Sequence, residues 1–448
     1  MFSRSKFTFL TSLMLILVVV LTACGSSATP VVQTAVVTQV VTQMVNQVVT
    51  ATPAPAGPVT ITFWNAYSAT SEEPYVEKTL IPAFEAAHPN ITVQAVNIPY
   101  DQFHQKLLTA IAGGTAPDVA RLDIIWQPEF ANLGALVPLD QTMSDFSTYQ
   151  KAVFPGPLST TFYGGHYYGL PLDTNTRVLI YNKAVLQQAG IANPPATIDE
   201  FNADCAKIKA LGPNHYCFAD GGMYGWATGP WVWSFGGDFA APDLSKATGY
   251  INGPDTVAAY TFLKNALDAG YIHPGIKGGG VDTNAGLANG SIAMDLDGPW
   301  FFASFPTQFP NVQIGSALMP AGKGGSISVV GGEDIAEFQE SKNKDAATEF
   351  IRYMLSADAQ FGMASVGQMP VLTSSSDAAN LAKMPSYFGI FFEQLKTSKA
   401  RTPTPVYSKM ETIFSDDGVA ILSGKMTVQQ GLDDAASKID PLLANPNQ

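Results

Sequence analysis

Val59-Thr60-Ile61-Thr62-Phe63-Trp64 alternates polar and apolar side chains, the period of a half-buried strand. A loop follows over 65–71. From 72 to 87 the apolar residues Val76, Leu80, Ile81 and Phe84 recur at helical spacing, and Pro89-Asn90 ends the run. Residues 91–98 alternate again. Asp101 is placed to cap a second helix carrying Phe103, Leu107, Leu108 and Ile111, closed by Gly113-Gly114. A third short strand is expected over 118–122. Strand, helix, strand, helix, strand predicts right-handed βαβ units and an α/β fold with mostly parallel sheets flanked by helices. Such sheets bind ligands at the carboxyl ends of their strands. That rule singles out Trp64 and Tyr67 after the first strand, and Asp123 and Trp126 after the third. Core packing is the alternative for Trp64, and a helix cap for Asp123.

Upstream of this unit the chain has a different character. Arg4 and Lys6 precede an apolar run over 7–20, which leads into Leu21-Thr22-Ala23-Cys24. A basic start, a short apolar stretch and small residues before a cut read as an export signal over 1–23. The run is shorter than the ~20 residues that span a bilayer, and Thr8, Thr11 and Ser12 dilute it. Ending in Cys24, the pattern resembles the lipobox of bacterial lipoproteins, which implies lipidation of that thiol. Residues 24–58 then hold the lipidated cysteine and a Val/Thr/Gln-rich, uncharged tether closed by Pro53, Pro55, Gly57 and Pro58. The protein is therefore expected on the outer face of a cytoplasmic membrane or in a periplasm, anchored by lipid.

Beyond the leader and tether lie roughly 390 residues, enough for two domains of ~100–200 residues. The formal charge is −13, and losing Arg4 and Lys6 with the leader makes it more negative. Such a surface repels nucleic acid, so no nucleic-acid partner is expected. Cys205 and Cys217 remain once Cys24 is assigned to lipid; in an oxidising compartment a disulfide between them is expected over two buried thiols. His88, His104, His166, His215 and His273 are scattered without ligand spacing, so no metal or other cofactor is expected. No Gly-x-Ser-x-Gly elbow and no phosphate-binding loop occurs. Further helices are expected over 183–188, 197–211, 254–269, 285–290, 344–355, 406–422 and 427–443, and a strand over 326–330. The tract 221–233 carries Tyr224, Trp226, Trp231 and Trp233 among glycines and reads as loop-rich.

Several landmarks fall in one order: Phe63-Trp64; Ile81-Pro82-Ala83-Phe84-Glu85 ahead of Pro89-Asn90-Ile91; Gly113-Gly114-Thr115-Ala116-Pro117-Asp118-Val119; Tyr181-Asn182-Lys183; Pro194-Pro195-Ala196-Thr197; Asn289-Gly290-Ser291-Ile292-Ala293-Met294; Gly298-Pro299-Trp300; Ser341-Lys342-Asn343-Lys344; and Ser423-Gly424-Lys425-Met426-Thr427. The series resembles the extracellular solute-binding proteins of ABC importers, in the carbohydrate-binding family that includes maltose- and trehalose-binding proteins. The resemblance implies a two-lobed periplasmic-binding-protein fold of type II, with lobe 1 over 59–172 plus 319–370 and lobe 2 over 173–318 plus 371–448. Crossings between lobes would fall near 171–175 and 318–320. It further implies a monomer that binds a carbohydrate, a di- or oligosaccharide, in the cleft and hands it to the transmembrane subunits of an ABC permease without being an enzyme.

Sugars offer hydroxyls at the rim and C–H groups on the faces, so carboxylates, amides and aromatic rings are the side chains to look for. Similar proteins that bind disaccharides carry an acid at the place of Asp123 and a stacking indole at that of Trp300. Asp173 and Asn175 stand at the first crossing, where one of them is expected to reach the ligand; a hinge-turn role is the alternative for Asp173. Trp231 and Trp233 offer a second platform from the other lobe, or one packs in the core while the other faces the cleft, and Asp297 enters by its proximity to Trp300. Glu333 follows Gly331-Gly332, where many relatives carry an aromatic residue. An acid there would take hydroxyls or a cationic group, which keeps a polyamine, an amino-sugar or another polar solute open as an alternative. A secreted glycosidase, needing a carboxylate pair at set separation, is the third reading.

Overall fold

The computed structural model describes residues 57–446; the export signal, Cys24 and the tether up to 56 lie outside them. The opening strand β1 (Val59–Asn65) pairs in parallel with β2 (Ile91–Asn97) on one side and β3 (Val119–Asp123) on the other, as the βαβ reading requires. The intervening helix runs over 72–87, with Val76, Leu80, Ile81 and Phe84 buried. Its turn widens to a π-helix at Val76–Leu80. Pro82 lies just beyond and has no N–H to return to Lys78, so the ordinary ladder is broken there. The second helix is Tyr100–Ala112 and starts from Pro99, not from an Asp101 cap. Asp101 is exposed in the first turn, where its charge suits the helix N-terminus.

A two-strand hairpin, β4 (Phe162–Tyr163) and β5 (His166–Tyr167), turns on Gly164-Gly165, both at positive φ. Then β6 (Leu170–Thr176) joins the first sheet, and β7 (Val178–Asn182) begins the second. Arg177 alone separates them, so the chain passes between sheets in one residue. The second sheet adds β8 (Tyr216–Ala219), β9 (Ile292–Asp297) and β10 (Ile314–Ala317) in the order β10-β7-β9-β8. The return crossing spans 318–328 and enters β11 (Val329–Glu337). With β12 (Lys399–Ala400) the first sheet reads β12-β11-β3-β1-β2, and β6 also pairs with β11. Each sheet with its helices is one lobe of a two-lobed α/β fold. The sheets are mixed: of the strands that carry the crossings, β6 and β7 pair antiparallel with their neighbours, and β11 pairs antiparallel with β3 and β6 but parallel with β12.

Two local expectations are corrected. The strand expected over 326–330 is β11, displaced to Val329–Glu337, and Gly331-Gly332 lies inside it. A Cβ on Gly331 would fall 2.1 Å from Asn175 Oδ1 and 2.5 Å from the Trp226 ring, and Gly332 has φ +131. The glycines therefore mark crowding and not a strand end. The tract 221–233 contains a helix, Gly225–Ser234, buried on nearly every side. Being enclosed all round, it has no polar face and so no periodicity to read.

One apolar core surrounds the first sheet through Ile61, Phe63, Phe84, Phe350 and Leu170. Another lies behind β7 and β9 with Ile180, Phe301, Phe305 and Phe391. The third and largest holds Phe201, Phe218, Trp231, Tyr260 and the closing helices Tyr407–Leu422 and Val428–Ala444. Within it Cys205 of the helix Ile198–Lys209 and Cys217 of β8 form the expected disulfide across a sequence separation of 12. Replacing both cysteines by serine is expected to lower unfolding stability by about 3 kcal/mol through the freed denatured loop. A urea midpoint unchanged from wild type under oxidising conditions would contradict that.

Candidate functional site

The pairing of β11 places Glu333 directly between Asp123 of β3 and Asp173 of β6. Three carboxylates thus lie in a row across three neighbouring strands, where like charges repel at close range. Two buried arginines answer them. Arg121 stands two residues before Asp123 and so on the same face of β3. Its Nε and Nη2 donate to Asp173 Oδ2 at 3.2 and 3.1 Å, and Nη2 lies 2.7 Å from Glu333 Oε2. The Tyr67 ring covers its guanidinium at 4.5 Å. Arg401 donates through Nη2 to Asp123 Oδ1 at 2.9 Å, and the Tyr100 hydroxyl donates to Asp123 Oδ2 at 2.6 Å.

Beside this row lies a cavity of about 250 Å³. The loop and helix after β1 contribute Ala66, Ser68, Ser71 and Glu72. Arg121 and Glu333 form the floor and Asn175 reaches in from the crossing. The helix Trp300–Gln308 of the second lobe adds Trp300 and Ser304, and the segment after Ala357–Ala364 adds Gln368. The opening is therefore walled from both lobes. Trp300 stacks on Trp226 with ring centroids 6.1 Å apart at 29°. A larger cavity, about 730 Å³, sits on the other face of the crossing strands, lined by Phe154, Thr174, Val330, Leu381, Phe392, Leu395 and Lys396 among others. Its walls are mostly apolar, with Ser159, Thr174, Ser376, Ser398 and Lys396 among them, and it holds no carboxylate.

Burial dominates the electrostatics of the smaller cavity. It drives the Glu72 and Glu333 carboxyls above their usual range against the pull of Arg121; Asp173 beside Glu333 adds to the effect. Burial disfavours the Arg121 charge, but Asp173 and Glu333 outweigh it and the guanidinium stays firmly protonated. Glu72 accepts from the Ser68 amide at 2.9 Å and from Gln368 Nε2 at 2.5 Å. Four buried oxygens receive no protein hydrogen bond: Asp173 Oδ1, Asn175 Oδ1, Glu333 Oε2 and Gln368 Oε1. Glu333 Oε2 has the Arg121 guanidinium 2.7 Å away and Asp173 lies behind the lining, so the Asn175 and Gln368 oxygens are the acceptors that leave the cavity short of donors.

Of the residues singled out in the sequence, Asn175, Trp300 and Glu333 line this cavity, while Tyr67 and Asp173 sit behind it through Arg121. The others do not line it. Asp123 is spent on Arg401, Tyr100 and the Ile125 amide. Trp126 is buried against Tyr100 and Phe103. Trp64 is half-buried against the largest core. Trp231 is enclosed by Phe201, Phe218 and Phe262, so it offers no platform. Trp233 is buried and donates through Nε1 to Asp238 at 3.0 Å, away from this cavity. Asp297 accepts from the Gly298 amide at 2.7 Å, and burial lifts its carboxyl to about 6. It belongs with Asp295 and Asp220 to a cluster around Arg177, whose Nη1 lies 2.9 Å from Asp220 Oδ2. The sequence reading missed Arg121, Glu72 and Gln368. Arg121 had a signal: a charge in mid-strand, two residues from an acid already chosen. Gln368 had none.

Residues 68–361 match the family described as bacterial extracellular solute-binding protein. A protein of Brucella abortus named as a binding protein is 32% identical over 88% of this chain and 95% of its own length. The multiple sugar-binding protein of Streptococcus mutans is 26% identical over 66% of this chain and 71% of its own. Among solved structures, an ABC transporter solute-binding protein of Thermotoga lettingae bound to α-D-tagatose superposes with a TM-score of 0.77 at 26% identity, covering 86% of this chain and 99% of that one.

Arg121 is the balancing charge of the site, so Arg121→Met is expected to cost about 3–5 kcal/mol of stability at neutral pH, the range for stranding buried charges. The loss should shrink toward pH 4. Glu72 and Glu333 have folded pKa values above their ordinary 4.5, so they are protonated there and need no counter-charge. Denaturant titrations of both proteins at pH 4.5 and 7.5 measure the difference; a penalty that is constant with pH would refute this account.

Proposed function

The chain belongs to the bacterial extracellular solute-binding proteins, and from that premise we propose that it is the capturing component of an ABC importer for a sugar, a di- or oligosaccharide. The observation that carries this reading is the cavity walled from both lobes, with an indole on one side and buried acceptor oxygens on the other. Hydroxyls supply the missing donors, and the Trp300 face covers a pyranose C–H face. Arg121 is engaged by two carboxylates and covered by Tyr67, so it does not advertise an anion site. Binding without turnover fits the acids: Glu72, Asp173 and Glu333 are all drawn to one arginine on one lobe, not set on either side of a bond to be cut.

The ligand would touch both walls only when the lobes are closed, so binding shifts the population toward closure, which the permease reads. The monomeric state belongs to this proposal; of the lobe boundaries expected at 172/173, 318/319 and 370/371, the first falls at Arg177 because all of β6 lies in the first sheet, and β12 returns to that sheet from beyond the third. Isothermal titration and tryptophan fluorescence with a panel of mono- and oligosaccharides test it. At least one sugar should bind and be recovered intact, and Trp300→Ala should weaken it ~30-fold, a loss of ~2 kcal/mol typical of a central aromatic contact. A panel that leaves both fluorescence and melting temperature unchanged would refute the reading.

Export and anchoring rest on Leu21-Thr22-Ala23-Cys24; among the described residues no helix is long and apolar enough to cross a membrane. Cys24→Ser is expected to abolish incorporation of labelled fatty acid and to release the protein from the membrane fraction. Retention of label by the variant would place the lipid elsewhere.

A further inference from the structure

The charges at the floor of the cavity do not balance. Arg121 is the one basic residue that lines it, yet three carboxylates crowd that guanidinium: Glu72, Asp173 and Glu333. The Arg121–Asp173 pair is closed by hydrogen bonds, and Arg121 approaches Glu333 without an aligned bond to Oε2. Asp173, Asn175 and Gln368 are each 4% exposed, and each has one side-chain oxygen that receives no protein hydrogen bond. The orientation of Gln368 is set by its donation to Glu72, so its free atom is an acceptor. A neutral polyol can donate to these atoms but does nothing for the excess of carboxyl groups over the single guanidinium. Burial disfavours the ionised forms of those carboxyls; a cation favours them. An ammonium group brings three donors and a full charge together. Trp300, backed by Trp226, presents an electron-rich ring to the cavity.

We propose that the preferred ligand is an amino-sugar or amino-glycoside whose protonated amine is received by Glu333, backed by the charge of Asp173 behind the cavity, while Trp300 covers the ring. This rests on the sugar-capturing reading and narrows it. Arg121, Asp123, Glu72 and Tyr67 are the other titratable groups around Glu333. Arg401 and Arg177 lie over the Trp226 ring at 5.5 and 5.8 Å, but neither lines the cavity, Arg401 being paired with Asp123 and Arg177 with Asp220.

The test compares matched pairs by isothermal titration on the intact mature protein at pH 7: glucosamine with glucose, galactosamine with galactose, mannosamine with mannose, and chitobiose with cellobiose, with putrescine and spermidine alongside. The amine member of a binding pair should bind at least ten-fold tighter than its hydroxyl partner, and Glu333→Gln should bring the two to parity. Neutral partners that bind as tightly as the amines overturn this proposal and leave the sugar reading standing. If no sugar of either kind binds, the sugar reading fails and this inference falls with it. Polyamines that bind more tightly than every sugar overturn the amino-sugar assignment as well.

Discussion

The row Asp123–Glu333–Asp173, held by two buried arginines, is the constraint on which the first lobe and its cleft depend. Sheet geometry sets neighbouring strands about 5 Å apart, so register alone brings the three acids together. No apolar residue in those places would need Arg121, and no Arg121 would need the Tyr67 ring above it. The interaction therefore recruits four separate pieces of chain: the loop after β1, the third strand, the first crossing and the returning strand. Arg401 adds a fifth, since it brings the segment after β12 onto Asp123. Buried ion pairs of this kind are weak sources of net stability, because desolvation offsets most of the attraction. Their effect is on arrangement: any packing that separates one member strands a charge.

A comparable device sits at the crossing itself. Arg177, the residue between the two sheets, donates through Nε to the Leu296 carbonyl at 3.0 Å and through Nη1 to that of Trp226 at 3.0 Å, beside its ion pair with Asp220. Its own carbonyl accepts from Ser328 Oγ at 2.7 Å, on the return crossing. The two passages between lobes are thus fastened to each other and to the helix that carries Trp226. That helix in turn backs Trp300 and fills the space left open by Gly331. Both ends of the cleft are consequently positioned from the hinge outward.

Much of this was legible in the sequence where a repeating pattern existed. The first three strands and the helix over 72–87 carry periods that only one element type satisfies. The helix Gly225–Ser234 had no such pattern because it is buried all round, and β11 hid behind two glycines that ordinarily punctuate a chain. Among the candidate residues, the three that line the cavity, Asn175, Trp300 and Glu333, stand where the chain crosses, stacks or breaks a family habit. Glu72 escaped because an acid in a helix's first turn has a local explanation. Val119-Ala120-Arg121-Leu122-Asp123 reads as a strand that ends in an acid, and nothing in the pattern says that its mid-strand arginine is buried. The tryptophans show the limit most clearly. Trp126, Trp231 and Trp300 are indistinguishable as letters, and only three-dimensional neighbours send the first two into the core and the third to the cleft.

The alternation of β6 explains why the cleft and the larger apolar cavity lie back to back. Asp173 and Asn175 face Arg121 and the cleft, while Thr174 faces the cavity shared with Val330. A one-residue slip of β6 would exchange the two sets and leave Arg121 opposite a threonine. The pairing avoids this with an irregularity between Glu333 and Asp334, where the partner on β6 steps from Asp173 to Pro171. Leu172 is the extra residue. Its insertion sets Leu170 opposite Ile335 within the first core, yet keeps Asp173 opposite Glu333 at the cleft. Apolar pairing and charged pairing demand different phases of the same strand, and the bulge is where the chain changes from one to the other.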